Sequence, residues 1–262
     1  MRMRTSVSIV TYCCLFLVLS AARAEAQAPN SQVVEFGVTS WRPSPELTLS
    51  TDALAGSDIN KVDFVQEFGI DDASFPQFRV ALGRNHKFRL SYVKLSYEAE
   101  ATIQRTFTFQ GRTFSVGAPA STDIEWDLWT FGYEWDVVSR DRGFFGIVTD
   151  LKYNTIKASV DSPALRSTAA TDTSAPVPTV GVIGRGYLAP MVAITGEFTG
   201  LKIGRDNFDV KFTDFDINGM VLFGRYVGAQ VGYRSVVVEY IVDEDTGDLK
   251  MQGPYFGGVV RF

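Results

Sequence analysis

Hydrophobic and polar residues alternate with a period of two along most of the chain after residue 30. In the clearest run, 129–137, every odd position is aromatic or Val and every even position is small, polar or charged. The runs 87–92 and 145–154 largely repeat this pattern. A period of two is typical of β-strands whose two faces have different surroundings. The pattern therefore predicts an all-β protein.

The lengths of the strands and of their connections favour a membrane barrel over a soluble sandwich. Several strands exceed the usual soluble length, whereas a tilted transmembrane strand needs about 9–11 residues. Short links follow every second strand, and three long ones, 42–73, 104–120 and 158–176, lie at the other end. This is the outer-membrane pattern, with the short turns periplasmic. We predict a transmembrane antiparallel up-and-down β-barrel of ten strands, with eight or twelve as alternative counts. The ten candidates are 32–41, 74–82, 87–103, 121–138, 143–157, 177–188, 192–203, 209–224, 229–242 and 249–262.

The first 26 residues have the pattern of a secretory signal peptide. Arg2 and Arg4 precede an apolar run, 7–20, that is too short to span a bilayer as a helix. Small residues then fit a cleavage site ending at Ala26. An uncleaved anchor helix is the alternative. Cleavage would leave residues 27–262 as a single outer-membrane barrel domain.

Composition excludes several classes of function. Both cysteines, Cys13 and Cys14, lie in the leader, so the mature chain would have no disulfide. The whole chain has 25 basic and 30 acidic residues, a balance that disfavours nucleic-acid binding. There is no P-loop or dinucleotide fingerprint, and the single histidine, His86, falls in a predicted periplasmic turn. We therefore expect no enzyme activity, no cofactor and no metal site, although carboxylate-only chemistry stays open.

Charged residues are predicted to line the lumen. Charges of both signs in a narrow barrel favour ion pairs over an open path, and about ten strands leave little room for a channel. Trp126 and Leu128 fall on the same side in this register, which indicates either a bulge or an apolar lumen patch. The candidate lumen charges are Asp127, Glu134, Asp150, Lys152, Glu197, Arg234 and Lys250.

The three long loops suggest different properties. The first, 42–73, is acidic, which fits divalent-cation binding, a cation-attracting vestibule or a merely solvated loop. The second, 104–120, has a Gln-Gly-Arg turn between two Phe/Thr runs and predicts a hairpin that extends two wall strands. The third, 158–176, is rich in Ala, Ser, Thr and Pro and predicts a mobile loop.

The end of the chain resembles the C-terminal signal of bacterial outer-membrane barrels. Phe256, Val260 and the last residue, Phe262, match its alternating apolar positions, whereas Gly258 departs from them. In the stretches 83–90, 109–114 and 228–234, the wider chain is similar to small outer-membrane barrels of the OmpA/OmpW class. That resemblance implies insertion into outer-membrane lipids and recognition of the C-terminal strand by the barrel-assembly machinery.

These observations predict a non-enzymatic outer-membrane barrel, either structural or supporting narrow, selective passage of small solutes or ions. The alternative is an adhesion or binding barrel that acts through the loops 104–120 and 158–176. An envelope enzyme is a third hypothesis, and a soluble periplasmic β protein is the rival at the level of fold.

Overall fold

The computed structural model describes residues 32–50, 61–205, 208–242 and 245–262. The predicted signal peptide, residues 1–26, lies outside these ranges, as do Asp52 and Asp58 of the acidic loop. Within the described residues, no helix has the length and apolarity needed to cross a bilayer.

The described chain is built almost wholly of strands. It contains one short helix, α1 (Phe64–Phe68). The strands are β1 (Val34–Trp41), β2 (Ser44–Ser50), β3 (Lys61–Asp63), β4 (Phe75–Gly83), β5 (His86–Thr102), β6 (Phe107–Phe109), β7 (Arg112–Phe114), β8 (Pro119–Arg140), β9 (Gly143–Ser162), β10 (Ser167–Ala189), β11 (Val192–Arg205), β12 (Phe208–Phe223), β13 (Val227–Val242) and β14 (Asp245–Arg261).

Ten of these strands close into an antiparallel barrel. The order is β1-β4-β5-β8-β9-β10-β11-β12-β13-β14, and β14 pairs back with β1. The prediction of a ten-stranded antiparallel barrel is confirmed. β2 pairs with β14 beyond the end of β1 and carries β3, so these two short strands lengthen the wall. Closure pairs the backbone around the ring and removes the free edges of an open sheet.

The two ends of the barrel differ. At one end, called the turn end, lie four short connections together with the start of β1 and the end of β14. The other is called the loop end. The outward face carries the apolar side chains, with Phe131 at 53% and Trp135 at 46% exposure. Alternation along each strand therefore sends apolar side chains out and the intervening residues into the barrel. The four short connections are 84–85, 141–142, 190–191 and 224–226.

Two of the loop predictions need correction. The predicted loop 158–176 is not a loop, because β9 and β10 stay paired from Gly143↔Gly186 to Ser162↔Ser167 around the turn 163–166. Cross-strand pairing decides the conformation there, and the Ala/Ser/Thr/Pro composition had suggested the opposite. The predicted hairpin in 104–120 is present as β6 and β7, but it forms a separate two-stranded sheet and does not extend the wall.

The wall is incompletely paired between β10 and β11. Their pairing ends at Val180↔Gly200, although both strands continue toward the loop end. β10 meanwhile stays paired with β9 through Pro176 and Pro178. Proline lacks an N–H, so it fits a paired strand only where its nitrogen faces the unpaired edge. The two prolines therefore remove donors from the edge that faces β11. We call this interruption the seam.

Candidate functional site

The loop half of the interior is apolar. Trp41, Trp126 and Leu128 are each at most 1% exposed and belong to one buried cluster. The apolar lumen patch suggested by Trp126 and Leu128 is therefore present. Trp41 and Tyr255 have the aromatic character of interface anchors, yet both lie inside, where they pair across β1 and β14. The Trp41 indole Nε1 donates to the carbonyl of Gly253 at 3.1 Å.

Two segments between wall strands complete this cluster, and together they are called the plug: α1 and the β6–β7 hairpin. Phe64 of α1 meets Phe109 of the hairpin edge to face at 5.5 Å between ring centroids. Phe68 meets Phe107 in the same manner at 6.5 Å. Apolar side chains pack against one another here because each segment is too short to bury its own aromatic rings. The plug therefore closes the interior toward the loop end.

Acidic residues of the first loop hold the plug in place. The Asp63 carboxylate accepts hydrogen bonds from the backbone N–H groups of Val65 and Gln66, which caps α1. Buried Glu67 accepts from Arg105 Nε at 2.5 Å. Two acidic residues of this loop, Asp63 and Glu67, thus have structural contacts, whereas Asp71 and Asp72 are exposed. No group of three or more His, Cys, Asp or Glu side chains suited to a metal occurs among the described residues.

The turn half of the interior is charged, and its charges are paired across the barrel. Arg89 Nη2 donates to both carboxylate oxygens of Glu197 at 2.7 Å. The Arg185 guanidinium holds Glu35 by two hydrogen bonds of 2.6 and 2.8 Å. Arg79 donates to Asp216 from a position 137 residues away in the sequence. Each pair brings together strands that are not neighbours in the wall, so the charges bridge the lumen.

Asp214 is the most heavily shared anion of this layer. Lys152 Nζ donates to its Oδ2 at 2.5 Å. Arg234 donates to it through Nε at 3.1 Å and Nη2 at 2.8 Å. All three side chains are less than 10% exposed. Buried charges are stable only when they are paired and hydrogen-bonded, and this triad satisfies that condition.

The charged layer encloses a cavity of about 120 Å³, called the lumen cavity. Its lining includes Lys87 and Glu134, and Lys87 Nζ lies 2.5 Å from the Glu134 carboxylate. Lys87 Nζ also lies 2.8 Å from the carboxylate of Asp136, which is not itself a lining residue. The lumen cavity reaches Gln32 and Arg84 at the turn end. The buried Asp150 also lines it, and within the described part of the chain neither of its carboxylate oxygens has a hydrogen-bond partner.

Five of the seven predicted lumen charges lie inside the barrel: Glu134, Asp150, Lys152, Glu197 and Arg234.

The other two predicted lumen charges are corrected. Asp127 lies on the outward face, where the Tyr92 hydroxyl donates to it at 2.6 Å. Lys250 also points outward and pairs with Glu46 of β2 at 2.8 Å. Each lies an even number of positions from the exposed apolar residues of its strand, so the period of two places its side chain on the outside.

Several interior charges were missed from the sequence although a signal was present. Arg89 lies between the outward Phe88 and Leu90, and Arg79 lies between the outward Phe78 and Val80. A charge between two aromatic or aliphatic neighbours in a strand marks the inward face. The missed residues that line the cavity are Glu35, Arg79, Lys87, Arg89, Arg185, Asp214 and Asp216.

Residues of the outward face also have defined positions. His86 is exposed at the turn end, with its ring stacked 6.2 Å from Trp135. Toward the loop end, Lys94 donates to Glu125 at 2.8 Å, and this hydrogen bond lowers the pKa of the Glu125 carboxylate. At the C-terminal strand, Phe256 and Phe262 are more than 60% exposed, and Val260 faces the same side.

Comparisons with known proteins bear on the fold. No protein-family model matches the sequence, and no curated protein matches it significantly. Among solved structures, the outer membrane protease OmpT from Escherichia coli is similar, with a TM-score of 0.60 and 7% identity over 88% of this chain and 97% of that one. The translocator domain of the autotransporter NalP from Neisseria meningitidis also matches, at a TM-score of 0.41 and 10% identity over 97% and 96% of the two chains.

The OmpT similarity concerns the fold alone, and the weaker NalP score carries no argument. The OmpT similarity and the closed ten-stranded wall together show that this chain has the fold of outer-membrane β-barrels. The structural neighbours give no particular support to the OmpA/OmpW class that the sequence resembles.

Proposed function

We propose that this protein is a bacterial outer-membrane barrel that supports narrow, selective passage of small solutes and is closed in the present conformation. The observation that carries the proposal is the lumen cavity. It is a charged space inside the barrel, and toward the loop end it is followed by the apolar cluster that the plug and wall residues such as Trp41 form together. A barrel with only a structural role would not need such a cavity.

The outer face supports membrane insertion. Its exposed apolar side chains run between two aromatic zones, one near Tyr92 and Trp129, stacked at 4.3 Å, and one near Trp135. Beyond the first zone the outward residues become charged, as the Lys94–Glu125 pair shows. An apolar band flanked by aromatic residues is the pattern of transmembrane barrels. The short turns and both ends of the barrel chain would then be periplasmic.

Assembly is part of the proposal. Export would depend on cleavage of the signal peptide 1–26. The outward Phe256, Val260 and Phe262 would then be available to the barrel-assembly machinery as the C-terminal strand is inserted. The proposal includes no role for a serine nucleophile, since such a nucleophile would need a histidine base and His86 is at the turn end. OmpT is a protease, but its likeness to this chain extends to the fold only.

Adhesion through the loops has less support. The β6–β7 hairpin turns its aromatic residues into the barrel, with Phe107, Phe109 and Phe114 at most 1% exposed. The aromatic face of the hairpin is therefore not available to a partner. The exposed surface of that hypothesis includes the hairpin turn, 110–113, and the tip of the β9–β10 extension, 163–166.

The test is single-channel recording of the refolded chain 27–262 in a planar bilayer. The wild-type protein should give small or infrequent steps. Replacing residues 106–115 by a Gly-Ser linker should give larger and more frequent steps, because it removes the aromatic side chains that the plug contributes to the apolar cluster. The matched control replaces the exposed Pro163 and Ala164, at the tip of the β9–β10 extension, by Gly and Ser and should leave the steps unchanged. Silence from a linker variant shown to be folded and inserted would refute the proposal.

A further inference from the structure

The lumen cavity contains an acceptor that the protein does not satisfy. Asp150 is 2% exposed, and no described group donates to either of its oxygens. The nearest cation, Lys152 Nζ, is 3.8 Å away and donates to Asp214 instead. A Cβ on Gly132 would lie 2.2 Å from Asp150 Oδ1, so the absence of a side chain at Gly132 is what lets the carboxylate occupy this position. Buried carboxylates are normally hydrogen-bonded, so this one is suited to a ligand that donates.

An unsatisfied donor lies on the other side of the same glycine. Arg89 Cβ would be 3.3 Å from that Cβ position on Gly132. The Arg89 guanidinium binds Glu197 through Nη2, but its buried Nη1 has no hydrogen-bond partner among the described residues. The hydroxyl of Thr130, two residues along β8, is also buried and unpartnered. The cavity thus presents free carboxylate oxygens, a free guanidinium N–H and a free hydroxyl.

The charge of the cavity limits what can enter it. Apart from Arg84, which is exposed at the turn end, six basic and six acidic side chains line it, so the two signs cancel. A solute with one net charge would leave that charge uncompensated in a buried site, which is costly. A solute that carries both a positive and a negative charge would have each charge compensated by the lining. The volume of about 120 Å³ corresponds to about four waters at roughly 30 Å³ each.

We propose that the lumen cavity binds a small zwitterion, a solute of about the size of glycine that carries an ammonium and a carboxylate group. The ammonium donates to Asp150 and Thr130, and the carboxylate accepts from Arg89 Nη1. This deepens the proposed passage by naming its solute class, and it rests on that function only for the claim that the solute crosses the membrane. The binding site itself is a property of the folded barrel.

The test is calorimetric titration of the folded chain 27–262 in detergent with glycine, methylammonium and acetate as separate probes. Glycine should bind, and the two single-charge probes should each bind at least about tenfold more weakly, as expected when one charge-assisted interaction is lost. Asp150→Asn should weaken glycine binding about tenfold. Asp123→Asn, at an exposed position on the same strand as Thr130, should leave it unchanged.

A second variant guards against a folding defect. Thr130→Val keeps the shape of the side chain, removes the hydroxyl, and should weaken glycine binding about tenfold, the effect of one hydrogen bond to a charged group. Equal binding of methylammonium and glycine would overturn the proposal in favour of a cation site. No binding of any probe by protein with a wild-type unfolding curve would also overturn it, in favour of a cavity that holds only water.

Recording the same proteins in a bilayer keeps the two proposals distinguishable. Glycine binding without conductance, even in the linker variant, would support the zwitterion site and refute the proposed passage. Conductance that is identical in wild type and Asp150→Asn, with no glycine binding in either, would refute the zwitterion site and support the proposed passage.

Discussion

Asp214→Asn is expected to destabilise the barrel strongly. The substitution keeps the size of the side chain and removes the charge that Lys152 and Arg234 share. It leaves two cations, 2% and 4% exposed, without their common anion. Removing one partner of a buried ion pair typically costs about 3–5 kcal/mol. Because the lumen cavity lies beside this triad, we expect a loss at the lower end, about 3 kcal/mol.

The assay is equilibrium unfolding by guanidinium chloride in detergent, followed by tryptophan fluorescence. Asp123→Asn is the control, since an exposed carboxylate should change the free energy of unfolding by no more than about 0.5 kcal/mol. Adding Lys152→Met to Asp214→Asn should recover part of the loss, because one of the two uncompensated charges is then gone. If Asp214→Asn alone unfolds like the control, the triad does not stabilise the barrel and the reasoning is refuted.

Three further outcomes are expected. Phe109→Ala should open the plug locally, so that proteolysis within 104–118 accelerates while the unfolding midpoint of the wall barely moves; a large fall of that midpoint would mean that plug and wall unfold as one unit. Gly181→Ala should reduce the fraction that folds, measured by heat-modifiable gel migration, because its Cβ would lie 1.9 Å from the Phe198 carbonyl oxygen, whereas Gly196→Ala meets no atom within 4 Å and should fold normally. Phe262→Ala should lower insertion into the outer membrane of cells but leave refolding into detergent intact; equal loss in both would place the effect in stability and not in recognition.

The fold could be predicted because its determinants are local. The alternation in 87–92 and 129–137 fixes which side chains face out, and the spacing of turns fixes the strand number. The same rule, applied strictly, would also have placed Asp127 and Lys250 outside. The β9–β10 extension was missed because its strand character comes from pairing with a neighbour, not from its own Pro-rich composition.

The interior was harder to predict, because its contacts join distant parts of the chain. Arg79 meets Asp216 and Arg89 meets Glu197 across the lumen, at separations of more than 100 residues. Periodicity shows that such residues face inward but not which partner they meet. The plug escaped prediction for a similar reason. The Phe/Thr alternation of β6 and β7 is equally compatible with an extension of the wall, and only the packing against α1 distinguishes the two.

The seam gives the barrel an uneven resistance to deformation. Around most of the ring, widening the cross-section would stretch a ladder of backbone hydrogen bonds. Beyond Val180 and Gly200, β10 and β11 can separate without breaking any hydrogen bond between them, because their pairing has already ended. Pro176 and Pro178 also prevent the ladder from being extended there by a simple change of conformation. β5 likewise continues to Thr102 past its last pair with β4, Gln77↔Val93. Any change in girth of the loop half, such as one that makes room for a displaced plug, would therefore be concentrated at the seam and beside β5.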